Sequence, residues 1–393
     1  MSLNRYVLRS VSALEWKKWD QFVNDHPGGH FLQSWGWGEL KASIGWHPFR
    51  FSLWDGKQRQ MVAAAQVLCR PAPGFPLWAG HLAYIPRGPV IDWSDACMCK
   101  AFFTQLNAYL RRRGALALRM EPNRVVEALT YSTGSNPWPE NPLATGVPVA
   151  HSNIEELQAV DTTATTATTA TIATMATLPM LLYPVQPVQP IRSIVLDLTP
   201  TENVLLAAMK EKWRYNLRLA ERKGITVRVA ETVEDVEAWY ALLRTTGERD
   251  HFGIHTIDYY LKAWHVFAPG QQACLFLAEY DGRLLAGIFV AMLARQAIYL
   301  YGASSNEHRN LMPNYLLQWA AICWAKRQGA VQYDFWGIPE TESAGEAMAG
   351  VYRFKRGWGG KTMRFVGCYE HTYRPWALSV ARKFRLTNSS EHP

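Results

Sequence analysis

The sequence has no apolar run long enough to cross a bilayer. A transmembrane helix needs about 20 consecutive apolar residues. The two best candidate runs, at 172–182 and 284–293, are shorter or interrupted by threonine and glycine. The first residues read as the start of a strand rather than as a signal peptide. These absences predict a cytoplasmic protein without a membrane-spanning segment.

Metal-binding and redox cysteine motifs are also missing. The six cysteines form no C-x-x-C pair, and Cys97 and Cys99 have no nearby histidine or second cysteine pair to complete a zinc site. The H-E-x-x-H motif and a Ser-His-Asp constellation are absent as well. We therefore expect reduced, buried thiols, and the motifs support neither a metal enzyme nor a hydrolase triad.

The composition that remains is that of a folded, basic protein. Hydrophobic residues make up 48% of the 393 residues, 17 residues are tryptophan, and the net charge is +8. This length leaves room for two or three domains. A basic chain favours an anionic partner, which could be nucleic acid, a phosphate-bearing substrate or a membrane surface. The charge alone leaves all three open.

The two halves of the chain repeat one order of elements. Hydrophobic periodicity predicts helix, antiparallel hairpin, strand, helix and strand in each half, with an Asp-Gly hairpin turn at 55–56 and again at 281–282. The second helix of each half ends at a glycine, Gly114 or Gly329, which supplies a left-handed cap. This order predicts an α/β (α+β) fold of tandem acetyltransferase-like (GNAT) domains, with mixed sheets flanked by helices.

A low-complexity segment rich in threonine and alanine separates the halves. A Pro-Val-Gln repeat follows it, and neither stretch has an amphipathic period. We expect a first domain at 1–192 that contains a surface insertion, disordered over most of its length, at about 123–189. The second domain is expected at 193–364, followed by a C-terminal segment at 365–393.

One predicted helix, at 209–224, carries a stripe of cations. Lys210, Arg214, Arg218 and Arg222 recur every four residues, so helical geometry places them on one broad face. Four like charges at this spacing repel each other unless an anion neutralises them. The stripe is therefore either a solvated face or a docking surface for phosphates, as on tRNA, a pyrophosphate head group or anionic lipid.

Two further segments contain candidate binding groups. Residues 354–360 are predicted as a compact, basic, glycine-rich loop, in which Lys355 could contact a phosphate or an oxyanion. Tyr301 leaves a predicted strand through small residues, so it points either into a cleft or into the core. The candidate bases are scattered along the chain: His255, His308, Glu121 and Asp334.

Seven short segments of the chain form an ordered set, at 30–41, 83–92, 209–224, 299–305, 312–319, 333–339 and 352–360. Together they resemble the Fem family (FemABX), aminoacyl-tRNA-dependent transferases that build the interpeptide bridges of peptidoglycan. The resemblance covers nearly the whole chain outside the threonine- and alanine-rich segment. It implies tandem acetyltransferase-like domains, with 365–393 returning to the first of them.

The resemblance also implies a reaction. An amino acid (Gly, Ala or Ser) esterified to tRNA is transferred to the side-chain amine of the third residue of a peptidoglycan precursor, either lipid II or UDP-MurNAc-pentapeptide. Aminoacyl-tRNA is then a co-substrate, and no cofactor is implied. Peripheral contact with the inner face of the plasma membrane is a further expectation. The helical arm of the staphylococcal branch is missing, because no long charged helix pair interrupts 224–270.

The same resemblance assigns roles to single residues. Lys355 matches the lysine that stabilises the tetrahedral oxyanion, and Tyr301 matches a cleft tyrosine near the reacting groups. The cationic stripe is assigned to tRNA or other phosphates. The matched substrate-binding positions are Lys41, Tyr259, His255, Arg87 and Glu121.

Three of these substrate-binding matches carry a more specific expectation. Lys41 resembles the residue that grips the phosphates of the precursor. His255 stands where the family often has an arginine, so the phosphate grip expected there is altered. Glu121 matches an acidic position proposed as a base.

Two other functions stay open. The first is an acyl-CoA-dependent acyltransferase on the same fold, although the closest match to a pyrophosphate loop, at 111–116, also reads as a helix stop. The second is a non-catalytic binder of tRNA or lipid head groups, which would keep the cationic stripe but tolerate the loss of Tyr301 and Lys355.

The C-terminal tail has two interpretations. Its helical pattern predicts that Trp376, Val380 and Phe384 pack on the domain. The alternative is that the tail lies on a membrane surface.

Overall fold

The computed structural model describes residues 5–71, 76–129, 171, 173–339 and 349–383. The chain divides into two compact units. Unit 1 takes Met1–Ile191 and Met363–Glu391, and unit 2 takes Arg192–Thr362. Among the described residues, no helix is both long enough and apolar enough to cross a bilayer.

Strands and helices alternate along the chain. The strands are β1 Tyr6–Ser10, β2 His47–Asp55, β3 Gln60–Pro71, β4 His81–Ile85, β5 Ala115–Met120, β6 Val125–Leu129, β7 Tyr183–Val185, β8 Arg192–Asp197, β9 Thr226–Val229, β10 Ala273–Tyr280, β11 Arg283–Leu293, β12 Gln296–Ser304, β13 Gln332–Gly337, β14 Lys361–Phe365 and β15 Cys368–Thr372. The helices are α1 Trp16–Asp25, α2 Trp35–Ala42, α3 Ala96–Arg112, α4 Glu202–Ala208, α5 Glu211–Arg222, α6 Val233–Asp250, α7 Ile257–Phe267, α8 Pro313–Arg327, α9 Ala349–Arg356 and α10 Pro375–Lys383.

Unit 1 is built on a mixed sheet in the order β1-β2-β3-β4-β5-β15-β7. Only the β4–β5 pair in it is parallel, and the other neighbours are antiparallel. Its core combines sheet residues such as Phe51 with the inner face of α3, where Phe102, Phe103 and Leu106 are fully buried. The late strand β15 pairs with β5, so the C-terminal segment completes the sheet of unit 1.

Unit 2 contains a second mixed sheet, in which β8-β13-β12-β11-β10-β9 are neighbours. The β12–β13 pair is parallel, and the other pairs are antiparallel. Helix α8 contributes Leu317, Ala321 and Ile322 to the core of this unit. Residues 224–270 form β9, α6 and α7, and Trp239 of α6 donates its indole N–H to the Gly287 carbonyl of the sheet, 3.1 Å away. The region expected to lack an arm therefore packs on its own sheet.

The second predicted Asp-Gly turn and both helix stops are present, whereas the first hairpin closes through a longer turn at 56–59. Asp281 and Gly282 both have φ above zero, as a type I′ hairpin turn requires. Gly114 and Gly329 follow α3 and α8 with φ of 87° and 85°, the left-handed region that favours glycine. The mixed sheets flanked by helices confirm the predicted α/β fold class.

Two predicted local structures were wrong. The stretch predicted as a loop at 354–360 begins inside α9, which runs to Arg356, because Tyr352 and Lys355 are buried on its inner side. Strand β12 does not end at Tyr301 but continues to Ser304, since its last residues pair with β11 as far as Ser304 opposite Ala286.

The predicted bounds of the insertion, 123–189, include residues that belong to the folded part of unit 1. Its middle, 130–170 and 172, lies outside the described residues. Past this gap, Met175, Leu178 and Met180 are buried in the core of unit 1, and β7 joins its sheet. The apolar residues at the end of the threonine- and alanine-rich segment are spaced irregularly. Their sequence therefore shows no helical or strand period from which their burial could be predicted.

Candidate active site

The sheet of unit 2 opens where two parallel strands separate. Parallel pairing joins Gln296–Ile298 of β12 to residues 332–334 of β13, and both strands continue beyond this point without another mutual pair in the described part of the chain. In unit 1 the equivalent strands stay paired along all of β4, up to Ile85 opposite Met120. Ligands of open α/β sheets bind beyond the carboxyl ends of strands at such divergence points. The opening in unit 2 is therefore the candidate cleft.

Lys355 reaches this opening from α9. Its side chain is only 6% exposed, and its Nζ donates to the carbonyls of Trp336 at 3.1 Å and Gly337 at 2.8 Å, at the end of β13. Nζ also lies 5.6 Å from the centre of the Tyr299 ring on β12. The lysine therefore lies between the separated ends of the two strands.

Burial sets the charge state of this lysine. Loss of hydration lowers the pKa of Lys355 to about 8, and the negative charge of Asp334 opposes that fall. The ammonium form still dominates at neutral pH. An ammonium has three N–H donors, and two of them are directed at carbonyl oxygens, so the third can serve a reacting group.

Asp334 shapes the end of β13 rather than serving as a base. It is fully buried, accepts a hydrogen bond from the Ser193 hydroxyl, and accepts a second from the Trp336 backbone N–H at 2.8 Å. Trp336 has a φ of 60°, an uncommon conformation for a residue with a side chain. The carboxylate holds this turn, which presents the Trp336 and Gly337 carbonyls to Lys355.

Tyr259 and Tyr301 meet through their hydroxyl groups. Their Oη atoms are 3.2 Å apart, and Tyr259 on α7 also stacks on the His255 ring at a centroid distance of 3.9 Å. Burial raises the pKa of Tyr301 to about 12, and its hydrogen bond with Tyr259 opposes the shift. The structure thus brings three of the predicted residues together, with a Tyr301 phenol that stays protonated and can donate.

Tyr299 is a residue beside Lys355 that sequence reasoning missed. It lies two residues before Tyr301 on β12, and burial raises its pKa to about 12. A Cβ atom on Gly302 would lie 1.8 Å from the Tyr299 hydroxyl, so only glycine fits there. A bulge separates Tyr299, opposite Val290, from Tyr301, opposite Phe289, so the two tyrosines face opposite sides of the sheet and strand alternation gave no signal for Tyr299.

In unit 1, Lys41 occupies the last turn of α2. The lysine is nearly buried, and its Nζ lies 4.8 Å from the centre of the Trp37 ring. The helix packs closely on the sheet at Gly38, where a Cβ would lie 2.3 Å from Gln66 and 2.4 Å from Arg50. The glycine and tryptophan pattern at 35–38 therefore sets the position of the helix that carries Lys41.

Arg87 is held by backbone and ring contacts within unit 1. Its Nη2 donates to the Pro190 carbonyl at 2.6 Å, and its guanidinium lies 3.8 Å from the centre of the Phe365 ring. The side chain is buried. These contacts join the loop after β4 to Pro190 and Phe365. A role of Arg87 in binding the substrate stays a prediction.

Glu121 serves as an internal acceptor in unit 1. The Tyr84 hydroxyl donates to one of its oxygens, and the backbone N–H groups of Val188 and Gln189 donate to the other at 2.7 and 3.0 Å. Burial raises the pKa of Glu121, and these hydrogen bonds oppose the rise. The carboxylate therefore anchors residues 188–189. Its hydrogen bonds go to internal groups of unit 1 and do not support a role as a catalytic base.

Replacing Glu121 by alanine is expected to lower the free energy of unfolding by about 2–4 kcal/mol, because two buried backbone donors lose their acceptor. Chemical denaturation measures this change. Glu121→Gln is the matched control, because its carbonyl oxygen keeps both backbone hydrogen bonds, and we expect a smaller loss. Equal stability of the alanine variant and the parent would contradict the anchoring role.

The cationic stripe is divided by the structure. Arg214 is half-buried and donates to the carbonyls of Ala207 and Met209, so it stabilises the end of α4. Lys210, Arg218 and Arg222 are exposed. The stripe therefore keeps three outward cations, and Arg214 is largely committed to its own unit.

An aromatic residue joins the outer face of α5. Tyr215 is 57% exposed and lies three residues before Arg218 and seven before Arg222, so the three share one face. Cations interleaved with an exposed aromatic ring suit nucleic acid, whose phosphates and bases need charge and stacking respectively. Sequence reasoning listed the cations but not this tyrosine.

The fold and the cleft first define a class, a tandem acetyltransferase-like protein with its opening in unit 2. The profile of the FemAB family matches residues 14–284 and 280–384. The chain is 24% identical over 413 residues to the lipid II:glycine glycyltransferase of Staphylococcus saprophyticus, with 90% of each chain covered. It is 23% identical over 438 residues to that of Staphylococcus aureus, covering 94% of this chain and 95% of the relative.

A solved structure has the same fold. The crystal structure of FemX superposes with a TM-score of 0.75, covering 95% of this chain and 99% of that chain at 20% identity. The chain belongs to the FemAB family, which confirms the resemblance and the tandem acetyltransferase-like fold. The prediction of an enzyme of the aminoacyltransferase class is confirmed by the same comparisons, since the relatives are named glycyltransferases.

Proposed function

We propose that the chain transfers an amino acid from aminoacyl-tRNA to the side-chain amine of the third residue of a peptidoglycan precursor, building the interpeptide bridge. Glycine is the first donor to test, because the relatives are named lipid II:glycine glycyltransferase. Alanine and serine are the other donors, and UDP-MurNAc-pentapeptide is the alternative acceptor to lipid II. The reaction takes place in the cytoplasm, where charged tRNA is found.

The position of Lys355 is the observation that carries the proposal. The acceptor amine attacks the ester carbonyl and forms the C–N bond, the carbonyl oxygen gains negative charge, and the C–O bond to the tRNA ribose then breaks. The amine proton ends on the departing ribose oxygen or in solvent. A buried ammonium at the cleft stabilises the oxyanion more strongly than one in water.

The Tyr259–Tyr301 pair is a second group of donors, on the face of β12 that contacts Tyr260 of α7. Tyr301 keeps its proton because of its raised pKa, so its hydroxyl can donate to an oxygen of the substrate. His255 lies against Tyr259 and provides a ring nitrogen instead of the guanidinium expected from the family pattern. The proposal needs no cofactor besides the charged tRNA.

Phosphate contacts are assigned to one group of cations in each unit. In unit 1, Lys41 and Arg87 are the candidates for the diphosphate of the precursor. In unit 2, Lys210, Arg218 and Arg222 are the candidates for tRNA phosphates, because they are exposed on α5.

The test is transfer of radiolabelled amino acid from glycyl-, alanyl- and seryl-tRNA to lipid II and, in parallel, to UDP-MurNAc-pentapeptide. Incorporation from at least one donor supports the proposal. The absence of incorporation from all three donors to both acceptors would exclude it, and retained tRNA binding in that case would favour a non-catalytic binder.

The acyl-CoA alternative has no specific support in the structure. Its best sequence match, at 111–116, is the end of α3 followed by the left-handed Gly114. Thermal stabilisation of the protein by coenzyme A would nevertheless revive it, so this measurement belongs beside the transfer assay.

A further inference from the structure

Two tryptophans of unit 1 lie almost entirely in solvent. Trp78 is 77% exposed and Trp376 is 76% exposed, although tryptophan is usually well buried. Val380 is 47% exposed and lies four residues after Trp376 on α10. The packing of Trp376 and Val380 expected from the sequence was therefore wrong, and Phe384 lies outside the described residues.

Helix α10 faces inward with other residues. Leu378 and Ala381 are buried in a cluster with Leu82 and Leu116 of the sheet. Positions 376, 380 and 383 lie within about one sixth of a turn of each other on the opposite side. The helix thus has an inner apolar face that holds it on unit 1, and a second, outward face that contains Trp376, Val380 and Lys383.

Leu116 connects the two exposed tryptophans. The backbone N–H groups of Tyr373 and Arg374 donate to its carbonyl at 2.9 and 3.2 Å, directly before α10. A Cβ on Gly80, two residues after Trp78, would lie 3.2 Å from the Leu116 side chain. Trp78 and Trp376 therefore each lie two or three residues from a contact with Leu116 at the start of β5.

The segments around the start of β5 are also cationic. Arg111, Arg112 and Arg113 are exposed at the end of α3, and the Trp78 carbonyl lies 2.5 Å from where a Cβ of the next residue, Gly114, would be. Arg374 and Lys383 are exposed beside and on α10. None of these five cations forms an ion pair within residues 5–71, 76–129, 171, 173–339 and 349–383.

A nearby arginine, Arg382, does form an ion pair. Arg382 donates twice to Glu370, at 2.6 and 2.8 Å, and Glu370 also pairs with Arg119. Glu370 thus neutralises Arg382, whereas the five outward cations have no ion-pair partner in the part of the chain that the structure describes.

We propose that this tryptophan face docks on an anionic lipid bilayer. The tryptophan face consists of Trp78, Arg111, Arg112, Arg113, Arg374, Trp376, Val380 and Lys383. Indole rings partition into the headgroup region because they combine an apolar body with a polar N–H. Arginine and lysine beside them gain from the negative surface potential of anionic lipids. The inference goes beyond the proposed function, because it concerns contact with the bilayer itself, which transfer to UDP-MurNAc-pentapeptide would not require.

The test is co-sedimentation of the full chain with vesicles of phosphatidylcholine, with and without phosphatidylglycerol, and without any peptidoglycan precursor. We expect binding to the anionic vesicles that weakens as salt is added. The double variant Trp78→Ala/Trp376→Ala is expected to lower the binding constant by about tenfold, because two interfacial anchors are lost. Because no precursor or tRNA is present, failure of this test leaves the proposed function intact.

Two matched variants make the result specific. Trp16→Ala removes a tryptophan that is 46% exposed on α1, and it should bind as the parent does. Arg111→Gln/Arg112→Gln/Arg113→Gln should weaken binding to anionic vesicles and leave the weak binding to phosphatidylcholine unchanged. Thermal unfolding checks that each variant is folded. We expect folded variants, because the substituted side chains are exposed.

Three outcomes would overturn the proposal: no binding of the parent chain, equal binding of the tryptophan variant and the parent, or equal loss in the Trp16→Ala control. If the parent instead forms a dimer in solution that Trp376→Ala dissociates, the tryptophan face is an interface between copies of the chain and the lipid assignment is wrong.

Discussion

Replacing Lys355 by alanine is expected to lower the rate of aminoacyl transfer by about 10²- to 10³-fold, the loss typical of removing one oxyanion donor. The ammonium lies between the ends of β12 and β13, where the reacting ester would be placed. Single-turnover transfer from charged tRNA measures the loss. Because α9 also packs through this residue, unfolding of the variant must be measured in parallel.

The pH dependence of transfer gives an independent readout of the same residue. Burial lowers the pKa of Lys355 to about 8, so the cation is present below this pH and is lost as the pH rises through it. Transfer by the parent should therefore decline above about pH 8. Lys355→Arg keeps a cation at all these pH values, and its residual activity should lack that decline. Near-normal turnover of the alanine variant would remove Lys355 from the mechanism.

Reversing two charges on α5, Arg218→Glu/Arg222→Glu, is expected to raise the KM for aminoacyl-tRNA by about 10- to 100-fold, because attraction to phosphates is replaced by repulsion. Both side chains are exposed and form no ion pair among the residues that the structure describes. Steady-state transfer at several salt concentrations measures the effect. The KM of the parent should rise steeply with salt, and that of the variant should rise less.

Lys17→Glu/Lys18→Glu is the matched control for net charge, since both lysines are exposed on α1 of unit 1. It should leave the KM for aminoacyl-tRNA close to that of the parent. An equal rise in both variants would show that the overall charge, rather than the outer face of α5, attracts the donor.

Much of the fold could be predicted because its signals are local. The Asp-Gly turn at 281–282 and the glycine stops after α3 and α8 depend on backbone conformations that few residues adopt, so a short window of sequence is enough. Strands β10 and β11 end and begin at the predicted turn, at Tyr280 and Arg283, because the Asp-Gly pair separates two apolar runs.

The candidate site could be predicted only in part, because its geometry depends on distant pairings. Nothing near Lys355 in the sequence indicates that Trp336 and Gly337 receive its hydrogen bonds. The contact between Tyr259 and Tyr301 likewise joins a helix to a strand 42 residues away. The resemblance to a family identified these residues in the sequence. The contacts that explain their roles could be seen only in the folded structure.

The predicted burial of Trp376 and Val380 in the C-terminal tail was wrong for a different reason. The pattern of Trp376 and Val380 fits a buried face as well as a solvent-facing one, because helical spacing identifies which residues share a face but not which face is inside. The structure buries Leu378 and Ala381 instead. Only the three-dimensional arrangement around Leu116 could distinguish the two faces.

The central claim is that the chain forms an amide between an amino acid carried by tRNA and a peptidoglycan precursor. The most direct measurement is mass spectrometry of the product after a single turnover of the purified chain with lipid II and glycyl-tRNA. The account predicts one added glycine on the side-chain amine of the third stem residue, and no product when free glycine and ATP replace the charged tRNA. Modification at another amine, or no adduct from glycyl-, alanyl- or seryl-tRNA, would contradict it.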